Sequence, residues 1–542
     1  MPALKAPLRA PTWGSSEIQK GVPSGARTDT KSSVDVWTWA ILGVILVVGA
    51  GLRLVNLGHS YWGDEDVTVQ LLRQPLWFMI RHGIPGSEST PPLYYLIAWV
   101  WSHGFGTTEL GVRSLSALIG VATVAVAYPL GLELRGRRSG LILAAFVAVS
   151  PFAVWFSQDA RAYGLAILFI TAGLLYFARG LRTASSRTLW LWAAASALAL
   201  ASHYFTIFVV APEAVALLAF RQSRRPAVWP TAALAATWLV LLPLLLFQRV
   251  QAGHLSWIKF LGLGERLKMT LQFFETGSWN LSFALLAVVT LAVAVVIGLA
   301  FASRRIGRRE WVILAVGASA IVLPSLAAVA GFDYVNYQNL VMAWMPFAAV
   351  LAAAMAGWRR VGIGLAAALL GLSLAATLKI DSSTALQRPN WRLATTTLAA
   401  QRSGGLFVIY PAFDIGALSW YDHQLSVVNA GDAALRPDDN LRIVQTRRIQ
   451  ILAEDPWVYS AARTLRFRVP PGFHLTKQTA FSTFVLDTYT APRPERVVIK
   501  PLASTRPSGD LLATTPWTSA VFFERHSRTP TNGWLSGPGG GE

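Results

Sequence analysis

Apolar stretches close to the 20 residues that cross a bilayer recur along the first 380 positions of the chain. They fall at roughly 37–57, 113–131, 140–156, 162–178, 189–203, 206–220, 230–248, 281–302, 311–330, 339–356 and 361–378. The pattern predicts a polytopic α-helical membrane protein with about 11 transmembrane helices. A shorter run, Pro92 to Trp101, carries Tyr94, Tyr95, Trp99 and Trp101 and is expected to lie along the membrane interface. Two connections, 58–112 and 249–280, are long and too aromatic for disorder, so function is expected in them.

Outside these stretches the pattern changes twice. The first 36 residues are polar, with Pro, Gly and Ser, and are expected to be a disordered tail. The membrane domain then occupies 37–379. Beyond it, Asn390 stands as an N-cap, Trp391 to Arg402 reads as a helix, and Gly404–Gly405 as its stop. Leu406 to Tyr410 reads as a buried strand, with further strand-like runs near 441–445, 464–469 and 479–489. These predict a small α/β domain over 380–500, followed by a mostly unstructured end over 501–542.

Composition supports the membrane reading, and charge orients it. Hydrophobic residues make up 54% of the 542 positions and charged ones 14%, against about 25% in soluble domains. Lys and Arg outnumber Asp and Glu by 47 to 28, an excess that in a soluble protein would suggest nucleic acid. Here it gathers in alternate connections: Arg135, Arg137 and Arg138; Arg179, Arg182 and Arg187; Arg221, Arg224 and Arg225; Arg304, Arg305, Arg308 and Arg309; Arg359 and Arg360. The rule that basic loops stay inside puts these and the N-terminus in the cytoplasm, and the C-terminal domain outside. The charge excess is therefore a topology signal, and no nucleic-acid partner is expected. Cysteine is absent, which excludes disulfides, thiolate metal sites and cysteine nucleophiles.

The residues suited to chemistry fall on the outer side. Tyr61-Trp62-Gly63-Asp64-Glu65-Asp66 follows the first span. Three adjacent carboxylates repel one another, and in a desolvated cleft at least one should rise toward the range useful to a general base. The same acids would equally serve as N-terminal caps of the next helix. Ser157-Gln158-Asp159-Ala160-Arg161-Ala162-Tyr163 places Arg161 alone among the short outer loops. Its planar fork suits a phosphate, or a salt bridge to Asp159 or a loop acid. Thr90-Pro91-Pro92-Leu93-Tyr94-Tyr95 fixes entry into the interfacial helix. His203-Tyr204 end one span, and Tyr334, Asn336, Tyr337 and Asn339 precede another. Acids, an arginine and polar aromatics converging on one face are what a catalytic cavity requires. His59, His82, His103, His203 and His254 lack the spacing of a zinc site, so no metal is expected. Glu213, inside a span, must face the protein interior.

In this order, the elements resemble the bacterial members of glycosyltransferase family 39, relatives of the protein O-mannosyltransferases. The resemblance covers about 60–400. It rests on Gly63-Asp64-Glu65, Pro91-Pro92-Leu93-Tyr94-Tyr95, Arg113, Ser157 to Tyr163, Ser202-His203-Tyr204-Phe205 and Gln387-Arg388-Pro389-Asn390-Trp391-Arg392. It implies the GT-C fold in a bacterial inner membrane and transfer of a sugar from a polyprenyl-phosphate donor to an acceptor hydroxyl on the outer face, with inversion and without a cofactor. By position, Asp64 would be the general base, Glu65 would position acceptor or base, and Arg161 would bind the donor phosphate. Tyr61, Asp66, Pro91, Pro92, Tyr94, Arg113, Gln158, Tyr163, His203, Tyr204, Tyr337 and Asn339 would line the cavity. The chain departs from its relatives at Asn336 and Gln338, where an arginine is frequent. It departs again at Thr90, where the lipid A aminoarabinose transferase has a lysine. Competing readings are a transporter or flippase for lipid-linked saccharides, whose ionisable groups would sit near the midplane, and an inactive relative serving as a scaffold.

Overall fold

A computed structural model describes residues 33–250, 258–259, 261–278, 281–302, 306–400, 405–410, 415–421, 425–430, 443–454, 466–467, 469–498, 507–508 and 520–524. Most of the N-terminal tail and His254 lie outside the described residues. Helices occupy each of the apolar stretches. Seven are long and apolar enough to cross a membrane, or eight if the bent pair Arg137–Val149 and Pro151–Ser157 is one span. Three further apolar helices, Ser186–Ser202, Tyr204–Ala219 and Val341–Ala356, fall short of that length.

The bend of 59° in the pair has a local cause. Pro151 has no N–H to offer the carbonyl of Val147 four residues back, so the helix breaks there. Arg53, wholly buried at the end of α1 (Ser33–Leu54), satisfies the freed carbonyls. Its Nη2 donates to Val147 O at 2.8 Å and its Nη1 to Ala148 O at 3.0 Å, while Nε donates to Ser157 Oγ at 3.0 Å. Gly120 makes room for this junction, since a Cβ there would lie 2.1 Å from Ser157 Oγ. Gln158 caps the other partner, donating to Leu52 O and Val55 O. The break thus delivers the Asp159–Arg161 turn to one end of the bundle, here termed the loop face.

On that face the connection 58–112 folds as α2 (Gly63–Leu72), short turns over 76–87 and α3 (Leu93–Phe105), the helix expected at the interface. Tyr61, Tyr94, Tyr95 and Leu115 bury together and fix this layer onto the bundle. At the opposite face, Glu133 takes Arg179, Arg182 and Arg309, which joins basic connections that the charge pattern assigns to one side.

The C-terminal part is a six-stranded sheet flanked by α4 (Trp391–Ala400) and α5 (Ile415–Tyr421). Its strands are β1 (Leu406–Tyr410), β2 (Leu425–Ala430), β3 (Ile443–Glu454), β4 (His474–Phe481), β5 (Phe484–Val498) and β6 (Ala520–Glu524), in spatial order β2-β6-β1-β3-β5-β4. Only β1 and β3 run parallel. Asn390 caps α4 as the sequence predicts, its Oδ1 accepting from Leu393 N at 3.0 Å. One expectation changes. Residues 520–524 fall in the end taken as mostly unstructured, yet pair between β1 and β2. Ala-Val-Phe-Phe-Glu is rich in strand formers, and its partners are distant in sequence, so no local hairpin signal marks it.

Candidate active site

The loop face brings three segments around the N-terminus of α2: the 157–161 turn, the 333–339 connection and Gln387–Pro389 at the root of the C-terminal domain. The three adjacent acids part company there. Asp66 turns back on its own helix, its Oδ1 accepting from Val67 N at 2.7 Å, while no side chain caps the helix at Trp62. Glu65 is wholly buried. Arg113 Nε donates to its Oε1 at 2.9 Å, and Arg113 Nη2 closes the fork on Oε2. Ala160 N donates to Oε1 at 2.8 Å. Burial alone would push Glu65 up, but the charge and hydrogen bonds of Arg113 outweigh it and hold the carboxyl below its usual range. Glu65 therefore ties the 157–161 turn to α2. Arg113 extends the tie to the carbonyls of Leu57, His59 and Ser60.

Asp64 alone of the three remains partly exposed. Its Oδ2 accepts from Gln338 Nε2 at 3.3 Å. Gln338 stands in a loop pinned by Arg266, whose terminal nitrogens reach Asp333 at 2.8 and 2.6 Å and whose Nη1 also donates to Val335 O. Asp159, 1% exposed, is a carboxyl that burial pushes up to about 7. Within the three-residue cluster, Glu65 moves the opposite way. Glu65, the wholly buried acid there, is neutralised by an arginine, while Asp159 has a cation only at 3.9 Å.

Arg161 takes the salt-bridge role. Nη1 and Nη2 donate to Glu88 Oε1 and Oε2 at 2.6 and 2.8 Å, and Nη1 also reaches Asp64 O and Thr68 Oγ1. His203 is buried beside it.

The remaining cavity candidates divide. Tyr163 and Tyr337 lie in the aromatic wall formed with Phe156 and Phe273, and Tyr337 is within electrostatic reach of Asp64 and Asp159. Others serve the frame. Gln158 caps α1, Tyr94 bonds Ser116, Tyr204 donates to Gln248, and Asn339 donates to Tyr334 O. Tyr61 donates to Thr107 O, Pro91 is buried and Pro92 precedes α3. Glu88, Asp333 and Arg266 were not singled out in the sequence. Each has its partner at least 67 positions away, so spacing carries no signal of it. Among the described residues, no three His, Cys, Asp or Glu side chains are grouped so as to hold a metal ion.

Residues 89–247 match the family model described as dolichyl-phosphate-mannose-protein mannosyltransferase. Among solved structures, the chain is similar to apo ArnT from Cupriavidus metallidurans, with TM-score 0.52 and 13% identity over 84% of this chain and 98% of that one. ArnT from the same organism bound to undecaprenyl phosphate aligns with TM-score 0.49 and 13% identity over 83% and 98%. The arabinofuranosyltransferase AftD from Mycobacteria aligns with TM-score 0.45 and 17% identity over 84% and 40%. No curated protein matches the chain significantly in sequence. The chain is thus a multi-pass membrane protein with the GT-C glycosyltransferase fold.

Proposed function

We propose that the protein is an inverting glycosyltransferase that moves a sugar from a polyprenyl-phosphate donor to an acceptor hydroxyl at the loop face, the outer side of a bacterial cell membrane. The observation that carries this reading is the state of Asp64. It is a carboxylate at the mouth of a buried charged cluster, oriented by Gln338 and left partly open, while its two neighbours are consumed by structure. That is the placement of a base that must meet an incoming hydroxyl. The family model matched over 89–247 names a lipid-phosphate sugar donor, which supports the donor class. A carrier would place its ionisable groups near the midplane. Here Glu213, inside a span, accepts from Trp192 Nε1 at 2.8 Å, which gives it a structural partner.

The test is transfer by the reconstituted protein from a panel of polyprenyl-phosphate sugars. Asp64→Asn should transfer roughly 10²- to 10⁴-fold more slowly, the contribution of a general base. Its melting temperature should stay near wild type, because an amide oxygen still accepts from Gln338. Undiminished transfer by this variant would remove Asp64 from the mechanism.

A further inference from the structure

We propose that Arg388, at the root of the C-terminal domain, holds the phosphate of the lipid-linked donor. The inference rests on the reading of the site as a lipid-phosphate glycosyltransferase. Its basis is the distribution of arginine partners on the loop face. Arg113, Arg161, Arg266 and Arg392 are each joined by hydrogen bonds to a carboxylate, respectively Glu65, Glu88, Asp333 and Glu109. Arg388 is different. Its nearest carboxylate oxygen, Asp159 Oδ1, is 3.9 Å away, too far for a hydrogen bond. Its Nη2 donates to Trp155 O at 2.9 Å, and its buried Nε has no partner. Both oxygens of Asp159 are also buried without a partner.

The cation is nonetheless held firmly. Its side chain is 9% exposed, and the guanidinium lies 4.2 Å over the Trp155 ring and 5.8 Å from that of Trp62. A buried cation fixed between aromatic faces, with donors unspent, is a receptor for an anion that offers several acceptor oxygens. Asp159 yields it readily. Burial has raised that carboxyl to about 7, so it takes up a proton at little cost when a stronger anion arrives. Asp64, Asp159 and Arg388 all lie within electrostatic reach of Tyr337, which places the proposed base and the cation in one neighbourhood.

In the displacement, the acceptor oxygen forms a bond to the anomeric carbon as the bond from that carbon to the phosphate oxygen breaks. The acceptor proton passes to Asp64. The electron pair of the broken bond stays on the phosphate, which gains one negative charge, and Arg388 donates to the oxygens that carry it.

The test uses the full-length protein in nanodiscs and two probes, undecaprenyl phosphate and undecaprenol. Wild type should prefer the phosphate. Arg388→Gln should lose roughly 10- to 100-fold of that preference, as expected for one or two charge-assisted hydrogen bonds, with binding of the alcohol retained. At pH 8, where Asp159 is mostly ionised in the free protein, Asp159→Asn removes the competing carboxylate and should bind the phosphate roughly three- to tenfold tighter. A folded Arg388→Gln with wild-type preference overturns the assignment. If that variant does not fold, unchanged phosphate affinity in Asp159→Asn overturns it. A wild type that cannot tell the phosphate from the alcohol overturns the lipid-phosphate reading itself.

Discussion

Arg161 grips Glu88 through both terminal nitrogens, at 2.6 and 2.8 Å, with side-chain exposures of 9% and 2%. The pair joins the 157–161 turn to the end of the 76–88 segment, 73 positions away in sequence. Both terminal nitrogens of the fork are engaged, so the bond fixes the geometry around Asp64, whose backbone oxygen shares Nη1.

Removing one partner of such a pair leaves a buried charge alone. Glu88→Ala should therefore cost about 3–5 kcal/mol of stability. Adding Arg161→Met should restore a large part of the loss. Thermal melts of the detergent-purified single and double variants check this; a double variant less stable than either single one contradicts it.

Asp159 makes stability depend on pH. Its folded carboxyl titrates near 7 against an ordinary 3.8, so between those values the native state holds a proton that the unfolded chain has released. Stability from this group is full below about pH 4 and is lost as pH rises toward 7. Asp159→Asn should flatten that part of the profile and raise the melting temperature at pH 8 relative to wild type. Identical melting-temperature profiles for the two proteins would count against it.

Gln338 orients Asp64 from a loop that Arg266 pins through Asp333 and Val335. Gln338→Leu should lower kcat roughly tenfold, the size of one hydrogen bond to a charged group, and leave KM nearly unchanged. Arg266→Ala should act through the same contact. The double variant should then lose less than the product of the two single effects, as steady-state kinetics of all three would show.

Tyr421 couples the C-terminal domain to the site. Its hydroxyl accepts from Tyr61 N at 2.7 Å and donates to Glu109. Beside it, Trp420 lies 4.0 Å under the Arg73 guanidinium. Tyr421→Phe should cost about 1 kcal/mol, because it leaves the part-buried N–H of Tyr61 without its acceptor while Glu109 keeps Arg392. Limited proteolysis should then cut the region after 400 faster than in wild type; equal rates would mean the contact does not hold the domain.

Much of this architecture was legible in the chain. The apolar stretches mark the helices because a bilayer-length helix must be apolar along its run, a local requirement. The acids after the first span and the Asp159–Arg161 segment were visible as candidates because polar clusters stand out against an apolar background. What each acid does was not visible. Asp64, Glu65 and Asp66 are adjacent and chemically alike, and successive positions on a helix face in different directions. One meets Gln338, one Arg113 and one its own backbone. Arg161 also had two open readings, and Glu88 resolved its resting state.

The sequence by itself determined a polytopic helical protein, a separate sheet domain and the face on which the acids gather, since these follow from local hydropathy and loop charge. Only the tertiary structure decided which carboxylate stays partly exposed, which arginine lacks a hydrogen-bonded carboxylate and how the C-terminal domain meets the site. Arg388 and Asp159 lie 229 positions apart, and the break at Pro151 together with the docking of the 387–391 segment brings them within 3.9 Å. Long-range charge pairing of this kind depends on three-dimensional placement and desolvation, which no local pattern in the chain encodes.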